Sequence, residues 1–294
     1  MAITAQMVKE LRERTGAGMM DCKKALAEAN GDMEAAIEEM RKSGVAKAAK
    51  KSGRVAAEGV VVINSGDKEA VMLEVNCETD FVAKDENFLG FVNATLKLIA
   101  DGRPADIDTL LGMSLPGGDA TVEQASQELV AKIGEKISVR RFVIIPRQGD
   151  VLGHYLHGSR IGVVVDIRGG SEDLARDVAM HIAGTPTPPV CINAGDIPSE
   201  LLEQEKAIFT AQAAESGKPA DIVEKMVMGK LNKFKKEVAL LDQPFVKDPD
   251  QTVGGLLKSA GAEILAFNRY QVGEGIEKRT DNFAEEVMAQ ARGE

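Results

Sequence analysis

Tryptophan is missing from this chain of 294 residues, and aromatic residues together make up only 4% of it. A core without large rings must be filled by Ala, Val, Ile, Leu and Met, and the 44% hydrophobic content allows that. No apolar run approaches the roughly 18 residues that a membrane-crossing helix needs, so no span is expected. The first residues, MAITAQMVKE, lack the basic-then-apolar order of a secretory leader. Cysteine is scarce: Cys22, Cys77 and Cys191 lie far apart and make no CxxC pair. That argues against a disulfide framework or a zinc site and fits a reducing, cytoplasmic setting.

The constellations of an enzyme are missing too. No GxxxxGK[ST] phosphate loop occurs; Gly217-Lys218 is followed by Pro219, which removes the donor and the hydroxyl such a loop needs. Gly16-Ala17-Gly18 leads to Asp21 where a dinucleotide fingerprint wants glycine, and it follows a helical pattern instead of a strand. Of the three histidines, His154 and His157 stand beside a turn at a spacing that puts them on opposite strand faces, with no third metal ligand in reach. His181, between Val178 and Ile182, reads as a satisfied core or boundary residue. No cofactor, metal or directly bound nucleotide is expected.

Net charge is −10 and uneven. Residues 1–54 carry 11 Lys/Arg against 8 Asp/Glu, which leaves the remainder strongly acidic. Such a body is a poor general ligand for nucleic acid, because neutralising phosphates takes clustered cations. On charge alone, another protein is the expected class of partner.

The apolar pattern that is present divides the chain. Residues 4–43 read as three short helices with stripes Met7-Val8-Leu11, Cys22-Ala25-Leu26-Ala29 and Met33-Ala36-Ile37-Met40. Thr4 and Asp32 are N-cap candidates; Thr15-Gly16-Ala17-Gly18 and Asn30-Gly31 are breaks. No useful cleft forms within so small a bundle, which makes it a binding module. The run 41–54, RKSGVAKAAKKSGR, holds six cations and no acid. It reads as a solvated linker or fraying helix, with a basic arm touching RNA or an acidic partner as the alternative.

From Glu58 onward the period changes to two, and an internal repeat emerges. Strands at 59–66 and 70–76, a helix at 86–100, and a helix and strand within 129–145 form the first copy. Strands at 151–158 and 161–168, a helix at 171–183, and a helix and strand within 256–272 form the second. The fold class expected is α+β: two repeated subdomains, each an antiparallel three-stranded sheet covered by helices on one face. A helical hairpin interrupts the second copy at about 198–238, with Leu202, Phe209 and Ala213 facing Val223, Val227, Leu231 and Phe234 across the turn Ser216–Pro219. Such a pair cannot bury both faces alone, which points to a partner surface or self-association. Asn282 and Glu285 can open a short terminal helix bearing Phe283 and Val287. The expected domains are 1–54, 55–147, 148–274 with the insertion, and a helical module at 275–294.

EVNCETDFVAK, 74–84, stands apart. A buried strand (Val71, Leu73, Val75, Cys77) ends near Thr79 and a helical run follows, leaving Asp80 and Phe81 at the junction. In one reading Thr79 or Asp80 caps the helix and Phe81 staples it to the core. In the other, Phe81 projects as a wedge toward a partner, with Asp80 aimed at donors there.

LRERTGAGMMDCKKAL (11–26) and EVNCETDFVAK resemble the two diagnostic motifs of the elongation factor Ts family. HGSRIGV (157–163), EKMVMGKLNKFKKEV (224–238), QPFV (243–246) and VGEGIEK (272–278) agree in order along the whole chain. TPTPPVCI (185–192) departs from the family pattern in being richer in proline. The resemblance implies a ubiquitin-associated-like N-terminal three-helix domain, a two-subdomain core, a coiled-coil insertion that can mediate dimerisation, and a C-terminal module. It also implies a guanine-nucleotide exchange factor that binds elongation factor Tu with GDP and promotes nucleotide release. Carried over, Thr79, Asp80, Phe81 and Val82 would disturb the GTPase's magnesium site, while Arg12, Met19, Met20 and His157 would dock on it. Adjacent Met19 and Met20 cannot both be buried by one helical face, and flexible exposed methionine suits contact-making. Two other classes compete: an adaptor or holdase whose binding ignores GDP, and a cofactor-dependent enzyme.

Overall fold

The computed structural model describes residues 3–15, 17–215 and 219–277. They fall into two compact units: Ile63–Val71 with Ile144–Tyr270 in one, and the remaining described residues in the other. None of the helices among them is long and apolar enough to cross a membrane. The expected terminal capping box at Asn282 and the turn residues 216–218 lie outside the described residues.

The first unit opens with helices α1 (Ala5–Thr15), α2 (Met19–Glu28) and α3 (Met33–Lys51). Both expected caps form: Thr4 Oγ1 accepts the Met7 amide at 3.3 Å, and the Asp32 carboxylate accepts that of Ala35 at 3.0 Å. The α2–α3 break turns on Asn30 and Gly31, both at positive φ, a region Asn tolerates and Gly enters freely. Val8, Leu11, Cys22, Ala25, Leu26 and Ala36 form the small core, with Met33, Ile37 and Met40 packed at its edge. All three sequence stripes therefore meet.

Strands β1 (Glu58–Ser65) and β2 (Glu69–Cys77) follow, then a 3-10 turn at Val82–Lys84 and helices α4 (Glu86–Gly102), α5 (Ile107–Gly112) and α6 (Val122–Ile133). Strand β3 (Ser138–Pro146) closes a three-stranded sheet in the order β1-β2-β3. Asp85 caps α4 by accepting the amides of Asn87 and Phe88, and Phe88, Val92, Leu96 and Ile99 are buried along it. Thr121 and Gln124 make a reciprocal capping box on α6, which ends on Gly134 at φ 91°.

Of the two readings of the basic run, linker or fraying helix, the chain takes the helical one as far as Lys51, and the helix is docked instead of solvated all round. Helix α3 continues through it to Lys51 and packs along α6, because AKAAKK is made of strong helix formers and contains no proline. At the crossing Gly44 lets the two helices approach: a Cβ there would lie 3.4 Å from that of Ala131. Arg41 pairs with Glu128 at 3.3 Å, and Lys51 Nζ donates to the Gly134 carbonyl.

In the second unit, β4 (Val151–His157) and β5 (Ile161–Arg168) form an antiparallel hairpin in register from Val151–Ile167 to His157–Ile161. Helix α7 (Glu172–Gly184) lies across them, close enough at Gly153 that a Cβ would come within 2.4 Å of Ala175 Cβ. Helices α8 (Ser199–Ala214) and α9 (Ala220–Val238) are the inserted hairpin; Ala213, Val227 and Leu231 are buried, and Phe209 meets Phe234 edge-on at 6.4 Å. A short ribbon, β6 (Pro244–Phe245) with β7 (Asp248–Thr252), precedes helix α10 (Val253–Ser259) and strand β8 (Glu263–Gln271), and the sheet order is β4-β5-β8. The class is α+β, with two three-stranded antiparallel sheets, β1-β2-β3 and β4-β5-β8. The proline-rich stretch serves the hairpin's base: Val190 donates to Val238 O at 2.9 Å, and Leu240 to Cys191 O at 3.0 Å, so an extended segment pairs with the exit of α9.

Candidate functional site

Strand β2 stops at Cys77, and the chain turns sharply before its next helix. The turn is bonded from below. Thr79 Oγ1 accepts the Val82 amide at 3.4 Å, the Thr79 carbonyl accepts that of Ala83 at 3.3 Å, and Cys77 Sγ donates to the same carbonyl at 3.1 Å. Val82 and Ala83 are buried. Phe81, between these anchored residues, is 81% exposed. It is not a staple. Thr79 Oγ1 serves only the first amide of the 3-10 turn, and the cap of α4 is Asp85. Asp80 is exposed beside the ring, its carboxylate 3.0 Å from Lys84 Nζ.

A single carboxylate holds the base of this tip. Glu135, on the loop from α6 to β3, accepts the Glu78 amide at 3.2 Å, the Thr79 amide at 3.0 Å and the Thr79 hydroxyl at 2.7 Å. Glu78 answers by accepting the Lys136 amide at 2.6 Å and pairing with Arg54 at 3.3 Å. Lys136 Nζ then donates to the carbonyls of Ser52 and Arg54, at 2.6 and 2.9 Å, just past α3. Bonds to ionised groups are the stronger kind, about 1.5–3 kcal/mol each, so the N-terminal flank of the tip is firmly set. Reading the sequence drew attention to Thr79–Val82 but missed Glu135, whose partners lie 56 and 57 residues away. The one local signal is Gly134, a helix-ending glycine that turns the following carboxylate out of the helix.

Burial pushes the Cys77 thiol up to about 12, helped by the negative charges of Glu135 and Glu58. The thiol is a packed hydrogen-bond donor and no nucleophile.

The remaining candidates are scattered. Met19 and Met20, at the start of α2, are 61% and 76% exposed, so neither is committed to the bundle core, and Arg12 is exposed on α1. His157, in the second unit, is exposed at the end of β4, with Tyr155 Oη 3.4 Å from its Nδ1. His181 is a core residue: Gln243 Oε1 lies 2.9 Å from its Nε2, and its Nδ1 accepts the Val246 amide at 3.2 Å.

A cleft of about 460 Å³ opens where the bundle meets α6, outside the bundle's own core. Much of its charged lining is paired, Arg41 with Glu128, Lys47 with Asp21 at 3.9 Å, and Arg14 with Glu34 at 2.6 Å. Among the described residues no three His, Cys, Asp or Glu side chains are grouped to hold a metal.

Known proteins resemble this chain over its whole length. A family model described as Elongation factor TS matches residues 78–274. A protein of Thioalkalivibrio sulfidiphilus named Elongation factor Ts is 60% identical over 296 residues, covering 100% of both chains. Proteins of the same name from Alkalilimnicola ehrlichii and Legionella pneumophila (strain Lens) are each 57% identical, covering 100% and 99% of both chains.

Proposed function

The chain belongs to the elongation factor Ts family, and from that premise we propose that it is a guanine-nucleotide exchange factor for elongation factor Tu, active in the cytoplasm during translation elongation. It performs no bond chemistry of its own. The observation that carries this reading is Phe81, a large ring left 81% exposed on a tip whose flanks are pinned.

GTPases hold GDP through phosphate-loop amides and a bridging Mg²⁺. In this reading Phe81 inserts between side chains that support the partner's magnesium site, with Thr79 and Val82 holding the wedge from either side. Asp80 exchanges its contact with Lys84 for donors in the partner. Accelerating release about 10³–10⁵-fold requires roughly 4–7 kcal/mol of barrier lowering. One buried ring supplies about 1.5–3 kcal/mol, so the wedge does not act alone. Arg12, Met19 and Met20 on a ubiquitin-associated-like bundle, His157 on the second subdomain and the C-terminal module add the remaining contact. Ile208, Ile222 and Met228, exposed on α8 and α9, offer a face through which the complex can dimerise.

Linkage then fixes the cycle. A factor that weakens nucleotide binding is itself weakened by nucleotide in the same ratio, so incoming GTP releases it. An adaptor would show no such antagonism.

The test mixes this protein with elongation factor Tu carrying a fluorescent GDP and follows release against factor concentration. Wild type should accelerate release to a plateau, and Phe81→Ala should lower that plateau by about tenfold or more, the size of one buried ring. Equal acceleration by the variant would overturn the wedge; no acceleration by wild type would overturn the exchange reading.

A further inference from the structure

Phe81 is too exposed for its own packing to aim it. Its direction is set by the backbone on either side. On the C-terminal side the chain is secured by burial, Val82 and Ala83 lying against the core. On the N-terminal side burial contributes little, since Glu78 and Thr79 are only half-buried and Asp80 is exposed. What fixes that side is the Glu135 carboxylate, with two amides and one hydroxyl converging on its two oxygens.

We propose that Glu135 is a positioning residue for nucleotide exchange: it never meets the partner's nucleotide site, and it aims Phe81 by fixing the peptide planes at Glu78 and Thr79. This rests on the exchange reading above and goes further, by assigning the wedge's orientation to a residue outside its motif.

Three observations support it. The oxygens of Glu135 are occupied by donors from the tip, and the residue is itself half-buried, which leaves it poorly placed to bind a partner. Its own loop is braced: Gly134 closes α6 in the left-handed region, the Lys136 amide is held by Glu78, and Lys136 Nζ is held to the carbonyls of Ser52 and Arg54. Finally, the clasp is reciprocal, because Glu78 and Glu135 each bind backbone of the other's segment, which fixes a rotation as well as a distance.

The experiment measures release of fluorescent GDP from elongation factor Tu with the full chain as wild type, Glu135→Ala, Glu135→Gln, Phe81→Ala and the Phe81→Ala/Glu135→Ala double variant. Plateau rate and half-saturating concentration are read separately. A misaimed wedge should lower the plateau by about 10-fold or more while the half-saturating concentration moves less than about threefold, since geometric error of about an ångström costs up to about 10² in rate. Glu135→Gln keeps an oxygen facing the amides and should recover most of the plateau. In the double variant Glu135→Ala should add less than about twofold to the loss from Phe81→Ala, because it acts through that ring.

An unchanged plateau for Glu135→Ala beside a lowered one for Phe81→Ala would overturn the proposal and leave the exchange reading standing. A change confined to the half-saturating concentration would also overturn it, as would losses that multiply in the double variant. Should Phe81→Ala match wild type, the wedge itself fails and the proposal with it. If Glu135→Ala melts early, Glu135→Asp takes its place: it keeps the charge but draws the oxygens back by one methylene from the Glu78 and Thr79 amides, and it should lower the plateau while Glu135→Gln keeps it. An unchanged plateau for Glu135→Asp would overturn the proposal.

Discussion

The Nε2 of His181 lies 2.9 Å from Gln243 Oε1 in a site where both residues are buried. Gln243 in turn donates to the carbonyls of Thr187 and Glu237, at 2.9 and 2.6 Å, and His181 Nδ1 accepts the Val246 amide. That amide makes Nδ1 the acceptor, so the proton sits on Nε2 and the ring is neutral. Burial holds its pKa below the ordinary 6.5, and the bond to Gln243 only partly opposes it.

The folded state therefore binds fewer protons here than the unfolded chain does. Stability should be full above pH about 6.5 and fall as pH drops through that value toward the lowered one. Thermal melts between pH 7.5 and pH 5, values chosen to bracket about 6.5, should show a slope that His181→Gln reduces. At neutral pH the same variant should lose about 1–3 kcal/mol, since the Val246 amide is left without its acceptor.

Glu74 titrates in a separate window. Its side chain is fully buried. Burial alone would raise its pKa, but the Gly273 amide at 2.8 Å and the guanidinium groups of Arg141 and Arg140, at 2.6 and 2.9 Å, hold it below the ordinary 4.5. Its contribution is present above pH 4.5 and lost as pH falls through the depressed value. Glu74→Ala, which leaves two cations facing an empty site, should destabilise by about 3–5 kcal/mol in urea denaturation. A loss below about 1 kcal/mol would mean that the carboxylate does not anchor the 272–275 turn.

The thiols of Cys22, Cys77 and Cys191 are all free and buried. With its pKa pushed up to about 12, Cys77 should react with a maleimide or a chromogenic disulfide at pH 8 only as fast as the protein opens. In about 6 M guanidinium all three should react together within seconds to minutes. Fast labelling of Cys77 in the native state would contradict its burial and its bond to the Thr79 carbonyl.

Gly44 gives a graded test of the α3–α6 crossing. Alanine there would touch Ala131 at ordinary distance and improve helix propensity, so Gly44→Ala should change stability by no more than about 1 kcal/mol, in either direction. Gly44→Leu overfills the crossing and should cost about 1–3 kcal/mol by denaturant titration. Equal stability for alanine and leucine would mean that the helices are not in register at this point.

Much of this was legible along the chain, because the relevant forces act over short spacing. Thr4 and Asp32 cap the helices they precede, and the stripe from Met33 to Met40 needs only helical periodicity to be seen. The break at EVNCETDFVAK was also local, a strand that ends where a ring and a carboxylate stand together. The Glu135 clasp was not legible, since nothing near residue 79 says which distant carboxylate receives its amide. The helix through 41–51 is among the readings its sequence allows, but its docking on α6 is not legible. Its cations suggest solvent, but Ala46, Ala48 and Ala49 are helix formers, and only a neighbour such as Ala131 makes docking worthwhile. The ribbon from Pro244 to Thr252 and helix α5 were too short to leave a periodic signal.

Helix α3 begins at Met33, on the edge of the bundle core, and ends beside Gly134 at Lys51, without interruption. Each residue of an α-helix advances the azimuth by about 100°. One inserted or deleted residue near Ser43 would therefore swing the methionine-bearing face of the bundle about a quarter turn or more around the helix axis, while every cap and core contact at either end stayed satisfied. Length between those two anchors acts as a phase setting, and it restricts indels there more tightly than side-chain chemistry restricts substitutions.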